Sequence, residues 1–389
     1  MKNNPVIGII GGGQLGRMFI EEALRYNIEC IIVDADKDCP ASGIASHQIV
    51  GSISEEAPIL RLGEKADILT YEIEHIYNQP LLELEKQGKK LIPSPRVLQI
   101  IQDKGLQKDF YSHHKIPTAP YVLVNKPDEW KLAVEKYKWK KFVAKSRKEG
   151  YDGRGVQFMS SNDLKSDKNI PFREPSILEA LIDCRKEISI IVCRDQKGNI
   201  KMFPPVEMEF DPKANLVTML ICPAQISASL LKKAEGIAVK VVKAMNGTGI
   251  FAVEMFLSKI NRWYVNEVAP RPHNSGHHTI EACYTSQFEQ LLRILLDLPL
   301  GSTELIRPAV MINILGSKEF TGSYYLHGCN EALKIPGVYI HLYGKKESRP
   351  MRKLGHITIL GKNIREAKRK ANQVKRKISV QELKPVKGV

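Results

Sequence analysis

Two acidic residues stand inside apolar, strand-like runs. Glu254 lies within Gly249-Ile250-Phe251-Ala252-Val253-Glu254-Met255-Phe256, and Glu267 within Trp263-Tyr264-Val265-Asn266-Glu267-Val268-Ala269-Pro270-Arg271. The linker Ser258-Lys259-Ile260-Asn261-Arg262 reads as a hairpin loop. On paired strands the two carboxylates would face each other. A carboxylate in an apolar setting is costly to bury unless it is paired or bound to metal. Two carboxylates beside the Asn266 amide offer the hard oxygen donors that Mg²⁺ (or Mn²⁺) takes. The alternative is a pair of edge carboxylates wetted by solvent. Arg271, His273 and Asn274 follow at once, and that density of polar groups favours metal.

A second group of residues suits phosphate. Lys145 ends the run Lys141–Lys145, and Gly150-Tyr151-Asp152-Gly153-Arg154-Gly155-Val156 follows. Glycines at this spacing let backbone N–H groups close over phosphate oxygens, and Lys145 adds a point charge. No Gly-Lys-Ser/Thr follows, so this is not a Walker loop. The competing reading is a hairpin with one surface arginine. Near Leu178-Glu179-Ala180-Leu181-Ile182, a strand edge with free backbone groups could read an adenine ring, while Glu187 could accept from ribose hydroxyls.

A third group lies near the N-terminus, where Gly11-Gly12-Gly13-Gln14-Leu15-Gly16 joins a strand to a helix and Asp34 closes the next strand. This is a dinucleotide-type turn. It is weak on its own, because a helix N-terminus suits any anion, and nothing downstream reads as a hydride-transfer site. Glycines chosen only for a tight turn are the competing explanation. Gln14 and Leu15, expected on the exposed bend, favour ligand contact.

The elements that must carry these residues form an α/β chain. Strands are expected at Val6–Ile10, Cys30–Asp34, Gln48–Val50, Ile68–Tyr71 and Lys90–Ile92, making a Rossmann-like open parallel sheet closed by Pro93-Ser94-Pro95. Val97–His113 reads as one helix. Strands follow at Lys141–Lys145, Ser176–Leu181 and Glu187–Cys193. An amphipathic helix, Leu230–Met245, leads into the carboxylate hairpin, and Phe288–Leu296 is a further helix. Beyond Arg307 come short strands at Ala309–Ile314, Tyr339–Tyr343 and His356–Leu360, then a basic helix.

The chain of 389 residues carries a formal charge of +15. That charge fits a nucleic-acid binder or an enzyme of phosphorylated substrates. The one basic cluster, Lys362–Lys377, alternates with Ala, Ile and Val and lacks aromatic interleaving, so it reads as the wet face of a helix. No nucleic acid is expected as partner. The 7 cysteines are scattered without a Cys-x-x-Cys pair, which points to reduced thiols and away from a zinc site. No apolar run is long enough to span a bilayer, so a cytoplasmic location, away from membranes, is expected.

These pieces meet in one resemblance. A Gly-rich first turn, a lysine strand with a Gly-rich flap, and a Glu … Asn-Glu-x-x-Pro-Arg pair resemble the ATP-grasp superfamily. Gly13-Gln14-Leu15-Gly16-Arg17-Met18, Tyr71-Glu72-Ile73-Glu74, Gly150–Gly155, Ala269-Pro270-Arg271-Pro272-His273-Asn274-Ser275-Gly276-His277, Thr285-Ser286-Gln287-Phe288-Glu289 and Arg352-Lys353-Leu354-Gly355-His356 are similar to the N5-carboxyaminoimidazole ribonucleotide synthetase family. The resemblance covers nearly the whole chain. Glu207-Met208-Glu209-Phe210 departs from it, standing where relatives often have Asn-x-His.

The resemblance implies an ATP-grasp ligase of purine (IMP) biosynthesis, acting on ATP, bicarbonate and 5-aminoimidazole ribonucleotide through carboxyphosphate, as a homodimer. It implies a pre-ATP-grasp domain over 1–103, an ATP-grasp domain over 104–304 with a flap near 145–156, and a small mixed α/β domain over 305–389. Glu254 and Glu267 would hold Mg²⁺. Lys104, Lys145, the flap from Gly150 to Val156, Glu179, Ala180, Leu181, Ile182, Glu187, Asn266 and Glu267 would bind ATP. Gln14, Leu15, Glu72, Lys345, Arg352 and Lys353 would bind the ribonucleotide. Arg271, His273 and Asn274 would take the bicarbonate, and Asp152 and Arg154 would orient the amine or relay its proton. The sibling readings are a formate-using glycinamide ribonucleotide transformylase and a biotin carboxylase. The reading from another class is a basic nucleic-acid or scaffold protein on an inactive ATP-grasp fold.

Overall fold

The computed structural model of the chain describes residues 4–148, 155–165, 169–210 and 217–383. The first unit is β1 (Ile7–Ile10), α1 (Gln14–Arg25), β2 (Cys30–Asp34), β3 (His47–Val50), α2 (Glu56–Lys65), β4 (Ile68–Tyr71), α3 (Gln79–Lys86) and β5 (Lys90–Leu91). Its strands pair in parallel in the order β3-β2-β1-β4-β5. Helices cover both faces, so β1 and β4 are buried at every position and read as continuous apolar runs.

The expected single helix over Val97–His113 is two: α4 (Pro95–Gln102) and α5 (Lys104–His113). Asp103 breaks it. Its carboxylate accepts from the Gly105 and Leu106 amides, capping α5, and pairs with Arg147 at 2.8 Å. An aspartate stabilises a helix start better than a helix middle.

Next come β6 (Tyr121–Val124), α6 (Asp128–Tyr137), β7 (Lys141–Ser146), β8 (Val156–Ser160) and β9 (Ser176–Ala180), a sheet in the order β6-β9-β7-β8. Then follow β10 (Cys184–Arg194), β11 (Ile200–Met202), β12 (Val206–Phe210), β13 (Val217–Cys222), α7 (Ala228–Met245), β14 (Gly249–Ser258), β15 (Trp263–Ala269), α8 (Thr279–Ala282) and α9 (Gln287–Leu295). The chain ends with β16 (Ala309–Leu315), β17 (Tyr324–His327), α10 (Cys329–Leu333), β18 (Val338–Leu342), β19 (Lys353–Leu360), α11 (Ile364–Lys377) and β20 (Ser379–Glu382).

One large sheet runs β15-β14-β10-β12-β13-β16-β19-β18, with β11 on β10. It crosses residue 304 through the antiparallel β13–β16 pair, so Lys353 at the head of β19 belongs to the same sheet as Glu254 on β14. A core shared by Phe19 and Ile20 of α1, Ile250 and Ala252 of β14 and Phe288 and Leu292 of α9 fastens the first unit to this sheet. Among the described residues no helix is long and apolar enough to cross a membrane.

Candidate active site

The hairpin forms as the alternation requires. β14 and β15 pair antiparallel with Glu254 directly opposite Glu267, and a bulge follows Glu254. Directly opposed residues share a sheet face. Ser189 pairs with Glu254 and Glu187 with Phe256, so Glu187, Ser189, Glu254 and Glu267 line one face. The other face carries Ile188, Ile190, Val253, Met255, Val265 and Val268, packed on α7. Glu254 is half-buried and Glu267 is exposed on the cleft side.

Burial raises the Glu254 carboxyl well above its usual range, and Glu267 and Glu187 raise it further, while Lys353 and Arg271 pull the other way. Glu187 is pushed up to about 7, by burial first, with Lys145 opposing and Glu267 adding. Glu187, Glu254 and Glu267 thus share one sheet face. No group of three acidic, histidine or cysteine ligands closes on a metal position among the described residues, but the directly opposed Glu254 and Glu267 offer oxygen donors that fit a hard divalent cation, with remaining ligands left to phosphate and water.

Beside them runs a ladder of charge. Lys145 reaches Glu179 at 3.0 Å and donates to Asn266 Oδ1 at 3.0 Å. Lys108, 2 % exposed, lies 3.1 Å from the other oxygen of Glu179 and 2.6 Å from Thr118 Oγ1. Burial lowers Lys108 to about 8 against the pull of Glu179. Burial alone would raise Glu179, but Lys145 and Lys108 hold it below its usual range.

Glu179 is therefore not a polar residue on a free edge. β9 lies between β6 and β7, and its backbone is paired on both sides from Ser176 to Ala180. The off-ladder residues are Leu181, exposed, and Ile182, half-buried. Lys104 opens α5 and its amide donates to Arg147 O. Gly155 and Val156 sit against Ser146 and Lys145. Gly150, Tyr151, Asp152, Gly153 and Arg154 lie outside the described residues.

Past β15 the chain turns into the anion-binding candidates. Arg271 Nη2 lies 2.8 Å from Glu74 and Arg271 Nη1 donates to Pro272 O. His273 Nε2 is 3.4 Å from Glu254 Oε1, and its Nδ1 is 2.9 Å from Ser275 Oγ. Asn274 opens a short 3₁₀ turn, Asn274–Gly276. Ser275 reaches back to Ser189 on β10 at 2.8 Å, fastening this turn to the carboxylate face.

Behind it His277 and His278 are both buried. The His277 ring lies 4.8 Å from His356, which stacks on His341 at 4.4 Å; His341 Nε2 meets Glu281 at 2.6 Å. Burial, followed by neighbouring imidazoles, keeps His277 and His356 well below the usual histidine range.

The first glycine turn is closed by the protein's own carboxylates. Asp34 accepts from Gly12 N at 2.8 Å, and Glu72 accepts from Gly13 N and from Gly16 N at 2.6 Å. Leu15 is not on an exposed bend: it is 7 % exposed and belongs to the core, because α1 starts at Gln14 and turns position 15 inward. Gln14 stays half-buried at the helix start. The segment after β18 comes to this turn, with Lys346 pairing Asp38 at 2.9 Å. Lys345 lies over the Tyr343 ring at 5.9 Å. Arg352 donates to Glu347 O, and the charge of Lys353, at the head of β19, lowers the Glu254 carboxyl.

Glu72 and Glu74, then Glu254, Arg271 and His273, and finally Lys353 are thus brought together from all three parts of the chain. Unread in the sequence were Glu74, Lys108 and the buried histidine stack. Glu74 stood in the quoted Tyr-Glu-Ile-Glu motif. Lys108 follows Lys104 by one helical turn, a spacing that put both on one side of α5.

Comparison with known proteins agrees along nearly the whole length. Residues 4–102 match the ribonucleotide synthetase preATP-grasp domain, 109–288 the ATP-grasp domain, and 309–370 the phosphoribosylaminoimidazole carboxylase C-terminal domain. The N5-carboxyaminoimidazole ribonucleotide synthase of Bacillus subtilis is 37% identical, over 91% of this chain and 91% of that one. The phosphoribosylaminoimidazole carboxylase of Candida glabrata is 39% identical over 94% of this chain, which spans only 65% of that protein's length. The N5-carboxyaminoimidazole ribonucleotide synthetase of Thermotoga maritima superposes with a TM-score of 0.88 at 42% identity, covering 97% of this chain and 99% of its own. The Aspergillus clavatus synthase, solved with ADP and 5-aminoimidazole ribonucleotide, gives 0.86 at 33% identity, covering 97% and 99%.

Proposed function

The chain belongs to the N5-carboxyaminoimidazole ribonucleotide synthase family of ATP-grasp proteins, and from that premise we propose that it carboxylates the exocyclic amine of 5-aminoimidazole ribonucleotide. ATP and bicarbonate are the co-substrates, and ADP and phosphate leave with the product, N5-carboxyaminoimidazole ribonucleotide, in purine biosynthesis.

The observation that carries this reading is the meeting of two charge types at Glu254. Acidic Glu267 on β15 and Glu187 on β10 flank it and raise its carboxyl, while cationic Arg271 and Lys353 pull it the other way. The acidic groups suit a metal–nucleotide, and the cationic groups an anionic acceptor. Phosphoryl transfer rests mostly on such positioning and charge neutralisation.

Glu254 and Glu267, with Asn266 beside them, would hold Mg²⁺ (or Mn²⁺), which when bound would neutralise ATP's phosphate oxygens. Lys104 and Lys145 would meet the phosphates under the flap, and Glu179 would hold Lys145 in place. Ala180, Leu181 and Ile182 would border the adenine, and Glu187 the ribose. Arg271, kept in position by Glu74, would grip bicarbonate through its planar fork, with His273 and Asn274 completing the pocket. A bicarbonate oxygen attacks the γ-phosphorus and ADP leaves. The amine nitrogen then bonds to the carboxyl carbon of carboxyphosphate, phosphate leaves, and the amine gives up a proton. Asp152 is the proposed acceptor of that proton, from its position in the sequence between Gly150 and Gly155; near-normal turnover in Asp152→Asn would dismiss it.

Gln14, with the Leu15 backbone and Glu72, would border the ribonucleotide, and Arg352, Lys353 and Lys345 would meet its 5′-phosphate. Family membership is the ground for proposing a homodimer, which light scattering would test. The reaction is tested by fixation of labelled bicarbonate. Label should enter an acid-labile product only when ATP, Mg²⁺ and 5-aminoimidazole ribonucleotide are all present. ATP consumption driven instead by formate and glycinamide ribonucleotide would replace this reading with the sibling one.

A further inference from the structure

We propose that Gln287 is a positioning residue whose side-chain amide sets the backbone and histidine geometry of the bicarbonate-binding turn. This inference rests on the reaction proposed above for its kinetic consequences, though not for its structural one. Gln287 is the first residue of α9 and is 0 % exposed. Its Oε1 accepts from His273 N at 2.9 Å, and its Nε2 donates to His273 O at 2.9 Å. The amide therefore pairs with the His273 backbone at both ends, as a neighbouring strand would. Its orientation is fixed, because His273 N can only donate and His273 O can only accept.

The same Nε2 lies 3.2 Å from His277 Nδ1. Facing a donor, that ring nitrogen must accept, so the His277 proton sits on Nε2. The backbone of Gln287 adds a further tie. Its N–H donates to Thr279 Oγ1 at 2.9 Å, and that hydroxyl donates to Gly276 O at 2.6 Å. A Cβ at Gly276 would collide with Ile191 Cδ1 and with the Gln287 side-chain amide oxygen Oε1, so a glycine there lets both approach. The preceding Ser286 donates to Glu22 on α1 at 2.9 Å. One helix start thus fastens the helix that begins at Gln14 and the turn that carries His273, two residues beyond Arg271.

No other common side chain supplies an acceptor and a donor at this spacing without charge. In Gln287→Met the shape is kept and all three side-chain hydrogen bonds are lost. In Gln287→Glu the acceptor for His273 N remains, but a carboxylate oxygen would face His273 O and His277 Nδ1. That arrangement recovers only when a proton sits between them, and burial favours the protonated form of such a carboxyl.

The test measures ADP release with ATP, bicarbonate and 5-aminoimidazole ribonucleotide varied in turn, for wild type, Gln287→Met and Gln287→Glu. It is paired with ¹⁵N NMR of the histidine rings. Gln287→Met should lose between about 10- and 100-fold in kcat, the scale expected when a binding group shifts by about an ångström, with the KM for ATP unchanged. Gln287→Glu should show a comparable deficit at about pH 9 that shrinks towards about pH 6, relative to wild type. Wild-type kcat in Gln287→Met, a deficit in Gln287→Glu that does not change with pH, or a parallel rise in the KM for ATP would overturn the proposal. If Gln287→Met does not fold, Gln287→Glu decides. If the wild type itself turns nothing over, the reaction assignment fails, and the ring spectra still decide the inference. His277 should carry its proton on Nε2 in the wild type and lose that preference in Gln287→Glu, and an Nδ1–H tautomer in the wild type would sink it.

Discussion

The first glycine turn and the β14–β15 hairpin both present carboxylates to a cleft, and they resolve the resulting charge in opposite ways. Asp34 and Glu72 point at the backbone N–H groups of Gly12, Gly13 and Gly16. A helix N-terminus carries partial positive charge, so although burial raises the Glu72 carboxyl, the Gly16 and Gly13 amides oppose that rise. Glu254 and Glu267 face each other across a strand pair, and Glu187 adds to the repulsion. A carboxylate that answers an amide makes structure, whereas carboxylates set against one another leave charge that a bound cation would neutralise. Glu179 stands between the two cases, since both its oxygens are met by lysines.

Replacing the carboxylates one region at a time sharpens this contrast. The largest effect is expected at the hairpin. Glu267→Gln should lower kcat on the order of 10³-fold, the upper range for removing one electrostatic stabiliser of a transition state, while the metal-free melting temperature holds or rises because repulsion is relieved. A fall in melting temperature without loss of kcat would break the comparison. Lys108→Met removes one of the two charges on buried Glu179. Calorimetry should record a loss of about 3 kcal/mol, as for other broken buried pairs, together with a higher KM for ATP as Lys145 is drawn deeper onto Glu179.

Glu72→Ala should cost about 1 to 2 kcal/mol, the scale of a lost helix cap, and leave the KM for ATP unchanged. An ATP effect as large as that of Lys108→Met would mean that the glycine turn serves the nucleotide after all. The smallest effect is a pH slope. Glu187 is raised in the folded chain to about 7, so the folded state binds more protons than the unfolded state between the ordinary carboxylate range and that value. Stability of the metal-free protein must therefore fall as pH rises through that window. Denaturation with and without Glu187→Gln should show the variant gaining on wild type over the same interval, and parallel curves would remove Glu187 from the crowded face.

Much of this was readable from residue order because the informative residues act locally. Glu254 and Glu267 stand out against apolar runs whose period of two places them on one face. The parallel sheet follows from its strand–helix alternation. What escaped notice depends on distant partners. Glu74 reaches Arg271 across nearly 200 positions, and Lys108 looks like any helical lysine until Glu179 is brought to it. Leu15 was misplaced because a helix started earlier than its apolar pattern suggested. The break at Asp103 was hidden because a capping aspartate between two helical stretches looks like one polar residue on a long helix. The free edge expected at Glu179 vanished once β6 paired with β9, and nothing in the segment itself announces that neighbour.

The central claim is that an acidic metal–nucleotide edge and a cationic bicarbonate edge work as one centre at Glu254. Steady-state ADP release, with ATP, Mg²⁺, bicarbonate and 5-aminoimidazole ribonucleotide omitted one at a time, tests it most directly. Fast release should require the metal and the ribonucleotide together, and carbonate-free buffer should abolish it. ADP release that proceeds at full rate without Mg²⁺, or that ignores both bicarbonate and the ribonucleotide, would contradict it.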